Sequence, residues 1–90
     1  MNYKLIIKTE ADIDLNHHIM AGNKKLLKKI YILFGELEQH PETGTGKPQF
    51  KKYDDFWARH ISDKHRMTYE IDEEKKTVKV LSLWGHYDDK

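Results

Sequence analysis

Arg66, His86 and Tyr87 are the residues whose types, taken together, could do chemistry. A guanidinium beside an imidazole and a phenol is what metal-free cleavage of a phosphodiester requires. The reaction needs a base for the 2′-hydroxyl, an acid for the 5′-oxygen and a cation for the crowded phosphate. Arg66 opens a stretch, Arg66 to Asp72, in which Met67, Tyr69 and Ile71 point one way and Arg66, Thr68 and Glu70 the other. That puts the guanidinium on a polar face, where paired donors can hold a phosphate. The alternative is an ion pair with Glu70 on the same face. His86 and Tyr87 follow the last strand-like stretch near the chain end, so a loose tail is the plainer reading of Gly85-His86-Tyr87.

A second stretch is shaped for something other than packing. His40 to Lys52 holds two glycines and a Lys-Pro pair, with no apolar residue before Phe50. Gly44-Thr45-Gly46-Lys47 suggests a phosphate-cradling P-loop, but Pro48 stands where that motif needs Ser or Thr, and the glycine spacing is wrong. The P-loop pattern therefore fails. Lys47, Lys51 and Lys52 form a basic cluster in this stretch, and Lys24, Lys25, Lys28 and Lys29 form another that reads as a solvated helix face. Six histidines suggest metal, yet His17 and His18 are adjacent and point to different sides of a helix, and no HExxH or paired CxxC pattern exists. His40 reads as a contact at a helix end. Trp57, Trp84, Tyr53 and Phe56 suit base stacking, although aromatics at strand positions more often belong to a core.

These groups need a scaffold, and ninety residues provide for one small domain, here spanning 1–90, that buries roughly 60–70% of its unfolded surface. There is no cysteine, so packing must hold the core unaided, and a reducing cytoplasm is the expected compartment. The apolar run near the start, Leu5-Ile6-Ile7, is far short of a signal peptide or a membrane span, which predicts a soluble protein. Sixteen basic against fifteen acidic side chains leave a net charge of +1, so only local patches can attract nucleic acid.

Residues 2–8 read as a strand. Thr9 reads as an N-cap with Glu10 and Asp12 in the first turn, opening a helix that ends near Gly22 with Ala11, Leu15 and Ile19 on one face. A second helix runs from Asn23 to about Gln39, its stripe of Leu26, Ile30, Leu33 and Leu37 widened by Leu27, Tyr31 and Phe34. Pro41 stops it. Three strands follow, Phe56 to Ser62, Arg66 to Asp72 and Thr77 to Trp84, joined by short polar links. The expected fold is α+β, with two N-terminal helices packed on one face of a small, mostly antiparallel sheet in the order β-α-α-β-β-β.

Gly44-Thr45-Gly46-Lys47-Pro48, then Phe56-Trp57-Ala58-Arg59, then His65-Arg66-Met67-Thr68-Tyr69-Glu70, then Gly85-His86-Tyr87, in that order, resembles the Txe/YoeB toxins of the RelE superfamily. Ala21-Gly22-Asn23-Lys24 and His40-Pro41 extend the likeness into the helical half. The resemblance implies the toxin of a type II toxin–antitoxin pair, an endoribonuclease that enters the 30S A site of the ribosome and cuts mRNA there, leaving a 2′,3′-cyclic phosphate without metal or other cofactor. It implies that Arg66 stabilises the transition-state phosphate, that His86 donates a proton to the leaving oxygen and that Tyr87 supports the site. Lys47, Lys51, Lys52, Arg59 and His65 would contact RNA. The implied partners are a cognate YefM-like antitoxin whose disordered tail folds over the toxin, and operator DNA only through that complex. A homodimer is left open, and no membrane is implied.

One position departs from the family. Where the resemblance places a general-base glutamate after Lys-Pro, this chain has Gln49, and an amide cannot take a proton. The segment from there to Trp57 is also shorter than usual, and His60 replaces the usual second arginine after Trp-x-Arg. Three explanations compete: His60 or another group has become the base, the protein cleaves weakly by positioning and electrostatics, or it is an inactive homologue that only binds antitoxin or ribosome. By alternation His60 shares a face with Phe56 and Ala58, opposite Trp57, Arg59 and Ile61, so a packed histidine is its alternative reading.

Overall fold

Residues 2–85 are described by the computed structural model; Met1 and residues 86–90, including His86 and Tyr87, lie outside the described residues. The chain runs β1 (Lys4–Ile7), α1 (Thr9–Ala21), α2 (Lys24–Leu37), β2 (Gln49–Lys51), β3 (Phe56–His60), β4 (Arg66–Asp72) and β5 (Thr77–Ser82). Strands β2 to β5 form an antiparallel meander, and β1 closes the sheet parallel to β5, giving the order β1-β5-β4-β3-β2. The α+β architecture expected from the residue pattern is the one observed, with one further strand.

Each helix has identifiable ends. Lys8, not Thr9, occupies the N-cap position of α1, with no side-chain cap bond; Thr9 is already helical. Glu10 and Asp12 still lie in the first turn, where acids complement the helix dipole. Gly22 takes the left-handed conformation at φ 74° and donates to the carbonyls of His18 and Ile19, which closes α1. Asn23 then caps α2, its Oδ1 accepting from Leu26 N at 3.1 Å.

The core is the shared property of the α2 stripe and the inner sheet face. Ile30, Leu33 and Leu37 of α2 are buried with Met67, Tyr69, Val78, Val80, Ile61, Leu83 and Ala11, and Leu15, Leu26, Phe34 and Trp57 pack around them. Two expectations need correction. Ile19 is 45% exposed while His18 is buried, so the inner face of α1 passes through the histidine; Tyr31 is also 52% exposed and does not widen the α2 stripe. The third strand ends at His60 rather than Ser62, and the last at Ser82 rather than Trp84.

Candidate active site

The sheet's outer face carries the polar half of each alternating strand. His60 and Arg66 are direct cross-strand partners of β3 and β4, Ala58 pairs with Thr68, and Gln49 of β2 pairs with Ala58. A cleft of roughly 410 Å³ opens over them, lined by Lys47, Pro48, Gln49, Lys51, Ala58, Arg59, His60 and Arg66. The half-buried Arg66 donates from Nη1 to Ser62 O at 3.3 Å. Among the described residues it forms no ion pair, so the alternative of an Arg66–Glu70 pair is not realised. Lys51 Nζ donates to Gln49 Oε1 at 2.9 Å. Lys52 is exposed in the turn after β2 and does not line the cleft.

The glycine loop forms the cleft's lip. Gly46 sits at φ 84° and Lys47 at φ 53°, a backbone region costly for lysine and free for glycine. Gly46 O accepts from His60 N at 2.7 Å, and a Cβ on Gly46 would lie 2.7 Å from His60 O. The loop therefore rests directly on the end of β3. Pro48 fixes the next φ and hands the chain to β2.

Arg59 has a different place from the RNA contact expected of it. It is fully buried on the core face, and its five N–H groups are spent inside the protein. Nε donates to Tyr69 Oη at 3.0 Å, Nη1 to Glu36 Oε1 at 2.7 Å and Thr45 O at 3.2 Å, and Nη2 to His40 O at 2.9 Å and Thr43 O at 2.7 Å. Tyr69 Oη in turn donates a hydrogen bond to Pro41 O at 2.7 Å. Glu36 also accepts from Thr45 N at 2.8 Å and Thr45 Oγ1 at 2.6 Å. Burial pushes the Glu36 carboxyl up, but the Thr45 and Arg59 hydrogen bonds outweigh it and hold it below the usual range. Burial holds the Tyr69 phenol above its ordinary value. Together these groups clamp the loop from below. The signal that could have found them was in the alternation: an arginine on the face of Trp57 and Ile61 needs a buried acid, and Glu36 lies on the α2 side of that face.

His65, also expected to contact RNA, faces away from the cleft. Its ring lies 4.8 Å from that of His18 and 4.6 Å from Trp84, and its Nδ1 accepts from Gly85 N at 2.8 Å. Burial, with His18 and Lys64 nearby, holds its pKa below the ordinary imidazole value. His40 is not simply a helix-end contact, since its Nδ1 donates to Thr43 O at 2.9 Å within the loop. Trp57 stacks on Tyr69 and leans on Phe50, whereas Tyr53 is 97% exposed. Among the described residues no cluster of His, Cys, Asp or Glu could hold a metal ion, and no helix is long and apolar enough to cross a membrane. The expected roles of His86 and Tyr87 fall outside the described residues, but Gly85 O accepts from Arg66 N at 2.9 Å.

Residues 8–87 match the family model of the YoeB-like toxin of bacterial type II toxin–antitoxin systems. The chain belongs to this family. Toxin YoeB of Escherichia coli K12 is 33% identical over 84 residues, which cover 91% of this chain and 98% of that protein. Among solved structures, a YoeB/ParE toxin from Agrobacterium tumefaciens superposes with a TM-score of 0.83 at 26% identity, covering 93% of this chain and 99% of its own. YoeB from Staphylococcus aureus has been solved as a dimer, with a TM-score of 0.80 at 26% identity, and in a YoeB–YefM complex, with 0.77 at 27%; each covers 97% of this chain and all of its own.

Proposed function

We propose that this YoeB-family toxin is a ribosome-dependent endoribonuclease that cuts mRNA in the A site. The observation that carries the reading is the direct pairing of His60 with Arg66 across β3 and β4, beside Gln49, in a cleft on the outer face lined by Lys47 and Lys51. His60 takes the proton of the 2′-hydroxyl. The 2′-oxygen attacks the phosphorus and Arg66 neutralises the charge that develops on the phosphate. The bond to the 5′-oxygen breaks, His86 donates the proton that oxygen needs, Tyr87 supports the site, and a 2′,3′-cyclic phosphate remains. Lys47 and Lys51 hold flanking phosphates, and no metal or cofactor takes part. The hydrogen bond between Gly85 O and Arg66 N supports His86's part, because it brings the residue before it to the strand that carries Arg66.

The partner is a YefM-like antitoxin, in keeping with the S. aureus complex, and operator DNA is met through that complex. A second reading is favoured by the Lys51–Gln49 hydrogen bond, which occupies the amide where the family has a base: a toxin that has lost cleavage and acts only by binding antitoxin or ribosome. Purified ribosomes programmed with a defined mRNA decide between them. New mRNA ends bearing cyclic phosphate, lost in Arg66→Ala and reduced by about 100-fold in His60→Ala, are expected, since a positioned general base contributes about 10²–10⁴-fold. Cleavage at full rate in His60→Ala removes His60 from the mechanism. Growth arrest with intact mRNA selects the binding-only reading.

A further inference from the structure

Strand β5 ends at Ser82, yet the chain beyond it is gripped at alternate residues. Leu83 N donates to Asp14 Oδ2 at 2.9 Å, and Leu83 O accepts from His18 Nε2 at 2.8 Å. Gly85 N donates to His65 Nδ1 at 2.8 Å, and Gly85 O accepts from Arg66 N at 2.9 Å. Side chains of α1 and of the β3–β4 turn thus continue the ladder that the strand has abandoned. Between the two gripped residues, Trp84 stacks on His18 at 4.8 Å and tilts against His65 at 4.6 Å, with His17 edge-on at 5.7 Å.

We propose that His65, His18 and Asp14 are positioning residues, a socket that holds residues 83–85 against Arg66, and that protonation of His65 opens it. The inference rests on the nuclease reading for its consequence, since His86 follows directly, but the socket itself is built from described residues. Its two histidines respond differently to acid. His18 donates to a carbonyl, which a charged ring does equally well, whereas His65 accepts at Nδ1 and loses that lone pair on protonation. The charged groups around the His65 ring are His18 and Asp14 from α1 and Lys64 from its own turn, with Arg66 next in sequence. Burial, His18 and Lys64 disfavour the imidazolium, and Asp14 favours it. His65 is therefore neutral at neutral pH and the socket is closed; below that it charges, its ring turns from acceptor to donor, and Gly85 is released.

The test uses the isolated full chain and does not depend on cleavage. In a Trp57→Phe background Trp84 is the sole tryptophan. Its fluorescence and the exchange of the Gly85 amide, corrected for intrinsic pH dependence, are followed from about pH 8 to about pH 5. Both are expected to change together, with a midpoint below the ordinary histidine value of about 6.5. His65→Ala should speed Gly85 exchange about 5- to 10-fold at neutral pH, the loss of one hydrogen bond. His65→Asn, whose Oδ1 replaces the Nδ1 acceptor, should restore most of that protection and abolish the pH transition; His18→Gln should keep the Leu83 bond and move the transition to higher pH. A transition that persists in His65→Asn, or a Gly85 amide indifferent to His65→Ala, overturns the proposal. A wild-type protein that does not cleave RNA but follows this pattern refutes the nuclease reading and leaves the socket standing.

Discussion

Arg59 shows how much a single side chain can decide here. A guanidinium with no exposed surface is tolerated only because Glu36 neutralises it and four further oxygens accept its remaining protons. Arg59→Met should lower stability by about 3–5 kcal/mol, because it strands the Glu36 carboxylate and the loop carbonyls together; urea unfolding measures it. Adding Glu36→Gln should return part of that loss, so the double-mutant cycle yields a coupling energy rather than two additive costs. The same pair sets an acid limb. Because the folded-state pKa of Glu36 is depressed, its contribution is complete above the unfolded value of about 4.3 and disappears as pH falls through the folded one. Glu36→Gln should flatten the stability curve in that window and leave it unchanged near neutrality apart from a constant offset.

At the scale of elements, the glycine loop and the helix junction respond to opposite demands. Gly46→Ala places a methyl 2.7 Å from His60 O at φ 84°, so backbone must shift; a loss of about 1–3 kcal/mol is expected, together with weaker protection of the His60 amide that Gly46 O receives. Asn23→Ala removes only the cap of α2 and should cost about 1 kcal/mol without touching that amide. Thermal unfolding with residue-resolved exchange separates the two. The elements themselves were legible where periodicity is long: the α2 stripe and the alternation over Arg66 to Asp72 mark their buried faces plainly. Strand β2 was not, because Gln49-Phe50-Lys51 has three residues, two of them polar, and gains its pairing from β3 rather than from its own pattern. Nor were the partners of Arg59 and His65, since Glu36 and His18 lie 23 and 47 positions away in the chain and only the packing of helix on sheet brings them together. The cleft was half legible: alternation put Arg66 on the polar face of its strand, whereas Gln49 and His60 were singled out only through the family likeness, and the charge of Arg59 suggested solvent while its face pointed inward.

Across the whole molecule the charges nearly cancel, at +1, so affinity for RNA has to come from where the cations lie. Lys47, Lys51 and Arg66 converge on the outer-face cleft, while Glu70, Asp72 and Glu73 line another hollow on the sheet. Such an arrangement gives a short-range attraction that salt weakens, with no long-range steering by net charge. Binding of a short single-stranded RNA should therefore fall with rising salt, with a logarithmic slope of about 0.7 for each phosphate held. Lys47→Ala should reduce that slope by about one such increment and weaken binding regardless of RNA sequence, because a contact to phosphate carries no base information. Lys75→Ala, in the turn joining β4 to β5 and outside the cleft, removes the same charge from the molecule and should leave the slope alone. Fluorescence anisotropy across a salt series compares the two. Equal slopes for both variants mean that RNA senses only the overall charge, and the cleft is then not where it binds.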